Sequence, residues 1–133
     1  DACSFYLLSS NKQEIKSRFS FDQTGKNNDT KAIINIGHAA TLFKKLFNDK
    51  QNVLLNDLKA PESKKFVTPE VLSILQNGKA AFAPVMIDTN VIGVVLAHKF
   101  DKRQNILSDD FLRFSFIIQH LNMCLSVISK RKA

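Results

Sequence analysis

The sequence predicts an α+β domain built around a central antiparallel hairpin, with a long helix at its C-terminal end. Two observations carry this. Residues 79–100 (KAAFAPVMIDTNVIGVVLAHKF) hold two apolar runs, Ala80–Ile87 and Val91–Ala97, on either side of the polar tripeptide Asp88-Thr89-Asn90. Val, Ile and Phe dominate the runs, the connector is short, and the pattern is that of a β-hairpin. Residues 108–128 instead repeat apolar side chains at steps of three and four, the period of a helix.

Neither hairpin arm alternates cleanly between apolar and polar. Phe82 and Met86 oppose Ala83, Val85 and Ile87, while Ile92, Val94 and Leu96 oppose Val91, Val95 and Ala97. Strands apolar on both faces are covered above and below, so the hairpin belongs in the middle of a layered sheet. Gly93 offers a point of close backbone approach.

Ala2–Ser9 reads as the first strand, with Cys3, Phe5 and Leu7 on one side and Ala2, Tyr6 and Leu8 on the other. A turn at Asn11-Lys12 follows. In Gln13–Phe21, Ile15, Phe19 and Phe21 alternate with Glu14, Lys16, Arg18 and Ser20, so this strand has one wet face and lies nearer an edge. Asp22–Thr30 is a polar loop, and Ala32–Ile36 a short third strand. Ala39–Phe47 places Leu42, Phe43, Leu46 and Phe47 on one helical face, with Lys44 and Lys45 off it. Val53-Leu54-Leu55 has the composition of a brief strand, and Asn56–Lys65 reads as loop. Thr68 and Pro69 suit the start of a short helix over Glu70–Gln76, which Asn77-Gly78 ends. Asp101–Asn105 is a polar turn.

Ser108 suits the N-cap of the last helix, and Asp109 and Asp110 the positive end of its dipole. Phe111, Phe114, Ile118, Leu121, Leu125 and Ile128 form one stripe, widened by Ile117 and Cys124, expected on the sheet. Leu112, Phe116, Met123 and Val127 form a second stripe nearly opposite. A helix apolar on two sides has two neighbours. The second is either a missing helix or the same helix of another subunit.

The 133 residues are expected to form one domain over residues 1–129, followed by a basic tail at 130–133. A formal charge of +7 raises nucleic acid as a partner, but the basic residues are spread along the chain and are not interleaved with aromatics. Cys3 and Cys124 have no metal-ligand spacing and read as two buried thiols in a reducing cytoplasm. No apolar run approaches the roughly 20 residues that span a bilayer. The chain starts without Met and in what already reads as strand, the pattern of a fragment cut from a longer protein.

Three pieces together resemble a GAF domain, a small-molecule-binding and dimerising module of bacterial signalling proteins. ACSFYLLSSN looks like the family's first strand and turn. FAPVMIDTNVIGVVLAHKF is similar to its hairpin, with Pro84 and Ile92-Gly93 at the matching places, and Leu107–Phe111 looks like the start of its final helix. The middle, IINIGHAATLFKKLFNDKQNVLLND, looks like the subtype attached to HDOD signalling domains. The resemblance implies a central antiparallel sheet of five or six strands. The long C-terminal helix lies on one face, and short helices and loops cover the other and enclose a ligand pocket. It also implies an N-terminal helix, absent here.

For that pocket the resemblance points to His38, Phe43, Phe66, Phe82 and Met86, with Asp57 as a polar anchor. The apolar members also suit plain core packing. His38 either contacts a ligand or satisfies a backbone group, both readings are open for His98, and His120 suits a surface or interface. No catalytic residue, nucleophile–base pair or metal-ligand set is indicated. Residues 22–78 contain no cysteine, which argues against methionine sulfoxide reduction and against bilin attachment. The Asn-Lys-Phe-Asp-Glu signature of cyclic-nucleotide-binding members is missing; Lys99-Phe100-Asp101 matches only its core. No metal, bilin or cyclic nucleotide is expected.

The resulting expectation is a non-enzymatic, cytoplasmic regulatory domain. It binds a small molecule or dimerises through Leu112, Phe116, Met123 and Val127, or packs that stripe on a missing N-terminal helix, and signals to an effector domain of the same protein. A ligand-free dimerisation scaffold is the alternative. A nucleic-acid-binding module rests on charge alone.

Overall fold

In the computed structural model, residues 2–22, 33–56, 61–66, 68–69, 79–99 and 106–132 are described, apart from the side chains of 19, 22, 38–40, 62, 99 and 132. Six strands form one sheet in the order β3-β2-β1-β6-β5-β4, every neighbouring pair antiparallel. They are β1 (Ala2–Leu8), β2 (Glu14–Asp22), β3 (Ile33–Asn35), β4 (Val53–Leu55), β5 (Lys79–Ile87) and β6 (Asn90–Lys99). The hairpin β5–β6 lies inside the sheet, flanked by β4 and β1, as its two-faced apolar sequence requires.

One face, the loop face, carries the larger core. Tyr6, Ile15, Ile34, Ala80, Phe82, Val94 and Leu96 meet Leu42, Phe43, Leu46, Val53, Leu55 and Phe66 there. The covering segment 36–48 is one continuous helical stretch of changing pitch: a 3-10 turn over Ile36–Ala39, α1 over Ala40–Phe43 and a π turn over Lys44–Asn48. Of its predicted face, Leu42, Phe43 and Leu46 are buried and Phe47 is half-buried. The segment expected as loop contains a further helical turn, α2 (Pro61–Lys64), with Pro61 at the first position, where its missing N–H costs nothing. Thr68 directly precedes a helical Pro69. The expected helix 70–76, the loop 23–30 and the turn 101–105 lie outside the described residues.

Two bulges correct the expected side-chain parity. On β2, Phe5 pairs with Phe19 and Tyr6 with Ser17, so Arg18 is the extra residue. One extra residue reverses every later side chain. Ile15 is therefore in the loop-face core, while Phe21, paired with Cys3, is exposed on the other face. On β6, Gly93 pairs with Val85 and Val91 with Met86, which leaves Ile92 as the extra residue and turns it to the face of Ala83, Val85 and Val95. The hairpin turn is shorter than expected. Asp88-Thr89 form it, with Asp88 in the left-handed region at φ 54°.

On this second face α3 (Ser108–Lys132) lies along β5. Asp109 and Asp110 occupy its first turn, and Leu107 rather than Ser108 precedes it, its carbonyl accepting from the Phe111 N–H. The helix includes Lys130 and Arg131, which were expected in a separate tail. Ile118 is buried against Ala83, Val85 and Val95, with Phe114 and Leu125 beside it.

Polar side chains set the helix's rotation. β4 pairs only with Ala80–Phe82, so β5 has a bare edge from Ala83 onward. Asn122 fills it: Oδ1 accepts from the Met86 N–H at 2.8 Å and Nδ2 donates to the Pro84 carbonyl at 3.3 Å. Ser126 Oγ accepts from the Asp88 N–H at 2.8 Å. Pro84, which has no N–H, stands where a sheet tolerates proline. Asn56 ties down the start of α3 in the same way, through both the N–H and the carbonyl of Ile106.

This anchoring turns Ile117, Leu121 and Ile128 away from the sheet, contrary to their expected place on the packed stripe. The thiols of Cys3 and Cys124, expected to be buried, are both exposed and free, because α3 covers β5 rather than β1 and presents Cys124 on its outward flank. Ser108–Arg131 is long and apolar enough, by length and composition, to cross a membrane, although isolated polar residues interrupt every apolar run. A domain helix with partners on two sides meets the same criterion.

Two outcomes test this packing. A Cβ at Gly93 would collide with the Tyr6 carbonyl and sit 3.1 Å from the Phe5 ring. Gly93→Ala should therefore destabilise the domain by about 2–3 kcal/mol in urea unfolding. Asn122→Ala should cost roughly 1–3 kcal/mol and speed hydrogen exchange at the Met86 amide; unchanged exchange there would mean that Asn122 does not protect the edge.

Candidate functional site

The sequence-selected pocket residues occupy different places. Phe43, Phe66 and Phe82 share the loop-face core and are buried. Met86 is half-buried at the bare edge of β5, where Lys50 and Asn52 on one side and Phe116 and Asn122 of α3 on the other border a hollow of about 250 Å³. His38 belongs to the turn Ile36–Ala39, but its side chain, like all of Asp57, lies outside the described residues.

A larger cleft, about 590 Å³, opens at the end of the sheet where the turns β1–β2 and β5–β6 meet the C-terminal end of helical segment 36–48. Of the six selected residues it includes Phe43. Phe43 and Phe47 stack at 5.3 Å between centroids with planes 22° apart, and with Leu8, Ile36 and Val91 they supply its apolar surface. Lys12, Lys44 and Lys50 supply its charge, and no carboxylate side chain lines it among the described residues.

Local hydrogen bonds build each wall. In the β1–β2 turn, Ser9 Oγ donates to Asn11 Oδ1 at 2.6 Å, and Asn11 Oδ1 also accepts from the Gln13 N–H at 3.0 Å. This holds Lys12 at φ 59°. The Ile36 N–H donates to the Gln13 carbonyl at 2.9 Å and the Gly37 N–H to Asn35 Oδ1 at 2.8 Å, joining the helical segment to that turn. At the far end the Gln51 N–H closes on the Lys45 carbonyl at 3.1 Å, with Lys50 at φ 54° in the position that most often carries glycine. Two of the three lysines thus hold a backbone conformation disfavoured for side chains with a Cβ.

The sequence reading missed this cleft. Phe43 and Phe47 showed helical spacing, but nothing local joins residues 8–13, 36–50 and 89–91; the sheet does.

Two other features bear on function. Leu112, Phe116, Met123 and Val127, on the outward face of α3, are 51% to 61% exposed. His98 lies on the loop face in line with Val94 and Leu96, opposite Ala80, and is buried. Burial, and secondarily the positive chain terminus, lowers its pKa to about 4. Among the described residues no three His, Cys, Asp or Glu side chains gather as a metal site.

No family model and no curated protein matches the chain. Solved structures do. The GAF domain of Thermosynechococcus elongatus PixJ, in its blue-light-absorbing form, aligns with a TM-score of 0.77 at 15% identity, over 99% of this chain and 77% of that one. The GAF domain/HD domain protein of Geobacter sulfurreducens gives 0.69 at 16% identity, over 96% and 81%. The GAF domain of a Bacillus halodurans two-component sensor histidine kinase gives 0.67 at 16% identity, over 100% and 86%.

The buried His98 gives a pH prediction. Its folded pKa lies below the ordinary value of 6.5, so in the window between about 6.5 and about 4 the unfolded chain takes up a proton that the folded chain refuses. Its contribution is intact above 6.5 and lost as pH falls through the window, up to about 3 kcal/mol. Urea midpoints at stepped pH should show this slope, and His98→Leu should flatten it.

Proposed function

From a chain with the fold of a GAF domain, we propose a regulatory domain of a signalling protein that self-associates through α3 and responds to a small molecule. The observation that carries this reading is the outward face of α3. Four large apolar side chains repeat along it, each about half exposed or more, on a helix whose opposite face is already occupied by the sheet. Burying such a side chain fully stabilises by roughly 1.5–3 kcal/mol, so four per protomer support a stable contact.

A second copy meeting α3 along Leu112, Phe116, Met123 and Val127 forms a helix pair. The flank of Ile117, Leu121 and Ile128 suits the N-terminal helix that the sequence resemblance implies. Ligand binding acts by favouring one arrangement of these helices over another, which a following effector domain reads. A ligand with equal affinity for both arrangements transmits nothing. The similar domains from Geobacter sulfurreducens and Bacillus halodurans occur with an HD domain and in a sensor kinase, which supports an effector in the same chain. The domain acts in the cytoplasm and binds rather than catalyses. His38, Phe43, Asp57, Phe66, Phe82 and Met86 remain the ligand-binding residues proposed from the resemblance.

Light scattering after size exclusion tests the contact. The double variant Phe116→Glu/Met123→Glu is expected to run as a folded monomer at concentrations where the parent is dimeric, with dissociation at least 100-fold easier. A dimeric double variant would place the interface elsewhere.

A further inference from the structure

The geometry points to the cleft at the turn end of the sheet as a binding site for a small organic anion: a flat apolar body bearing a carboxylate, sulfonate or phosphate. The inference rests on the reading of the chain as a ligand-responsive domain and assigns that response a place and a ligand chemistry.

Three properties of the cleft carry it. Its volume of about 590 Å³ falls within the range of small-molecule sites. Its apolar surface includes the half-buried ring of Phe47, backed by the buried Phe43 ring stacked 5.3 Å from it, against which a flat ring system can lie. Its charge is of one sign. Lys12, Lys44 and Lys50 line the same space, and among the described residues no carboxylate side chain lines it with them. The nearby Asp88 carboxylate instead lies 3.9 Å from Lys130 of α3. Lysines gathered from the β1–β2 turn, from the start of the π turn and from just beyond its C-cap repel one another, and an anion between them relieves that repulsion.

The backbone adds a directional argument. Lys12 and Lys50 sit at φ 59° and 54°, where glycine is the less strained residue. Placing lysine there sacrifices some stability and supplies two ammonium groups to the cleft. Lys12→Gly/Lys50→Gly therefore removes charge while relaxing the backbone, so loss of binding cannot be attributed to loss of fold.

The probe is 8-anilino-1-naphthalenesulfonate, with its uncharged parent N-phenyl-1-naphthylamine as control, titrated by fluorescence and located by amide chemical shifts in the full chain. The sulfonate should bind at least 10-fold more tightly than the parent at low salt and shift the amides of Gln13, Gly37, Asn48 and Asn90. The advantage should shrink with added salt. In Lys12→Gly/Lys50→Gly, with or without Lys44→Gln, it should vanish while the urea midpoint stays equal or rises. Shifts confined to α3, or unchanged affinity in these variants, would overturn the proposal. The Phe116→Glu/Met123→Glu variant separates the two readings. If it is monomeric and the parent's probe shifts lie outside the cleft, the cleft assignment fails and self-association stands. If the probe reports the cleft but the variant remains dimeric, the reverse holds.

Discussion

Strand β5 runs out of a partner halfway along its length, and much of the molecule is arranged around that fact. β4 pairs with only three of its residues, and beyond them the backbone of Pro84, Met86 and Asp88 would face water or another chain. An unpaired edge invites further pairing. Here a helix covers it with side chains that imitate a strand. The Asn122 amide offers one donor and one acceptor at the spacing of a peptide group, and Ser126 takes the next N–H. Because these bonds are directional, they fix how α3 is rotated as well as where it lies. The apolar surface that α3 shows to the outside, and hence the proposed interface, follows from two polar residues on its inner side.

Single-residue irregularities do comparable work in the sheet. The bulge at Arg18 turns the end of β2 over, taking Phe21 out of the loop-face core and placing it beside Cys3. The bulge at Ile92 brings that residue to the α3 side and leaves Gly93 where the Phe5 ring and the Tyr6 carbonyl close in. Local twist increases at such points. The bulge at Ile92 lies beside the hairpin tip that borders the cleft, whereas that at Arg18 lies in the middle of β2.

The two proposed surfaces have opposite character. The cleft is small, cationic and built from turns; the α3 face is extended, apolar and built on one rigid element. They are joined through β5 and β6, whose hairpin tip supplies Thr89 and Asn90 to the cleft and whose bare edge holds α3 through Met86 and Asp88. A change at the hairpin tip thus has a short hydrogen-bonded route to the helix, through Asp88 and Ser126.

The sequence by itself determined the α+β class, the central hairpin, the helix over 108–128 and the face of Leu42, Phe43 and Leu46. Each is written in a local period of hydrophobicity, and burial enforces that period. It also determined that Gly93 marks a close approach and that α3 has more apolar surface than one neighbour covers. Tertiary structure alone decided the two bulges, because an inserted residue is defined only against a partner strand. It alone decided that Asn122 and Ser126, rather than Leu121 and Ile128, face the sheet. An amide suits such a position only where a strand has lost its partner, and no periodicity records where β4 ends. The cleft is the clearest case: Lys12, Lys44 and Lys50 are ordinary surface residues in the sequence, and they become one site only because antiparallel pairing brings two turns and a helix end together.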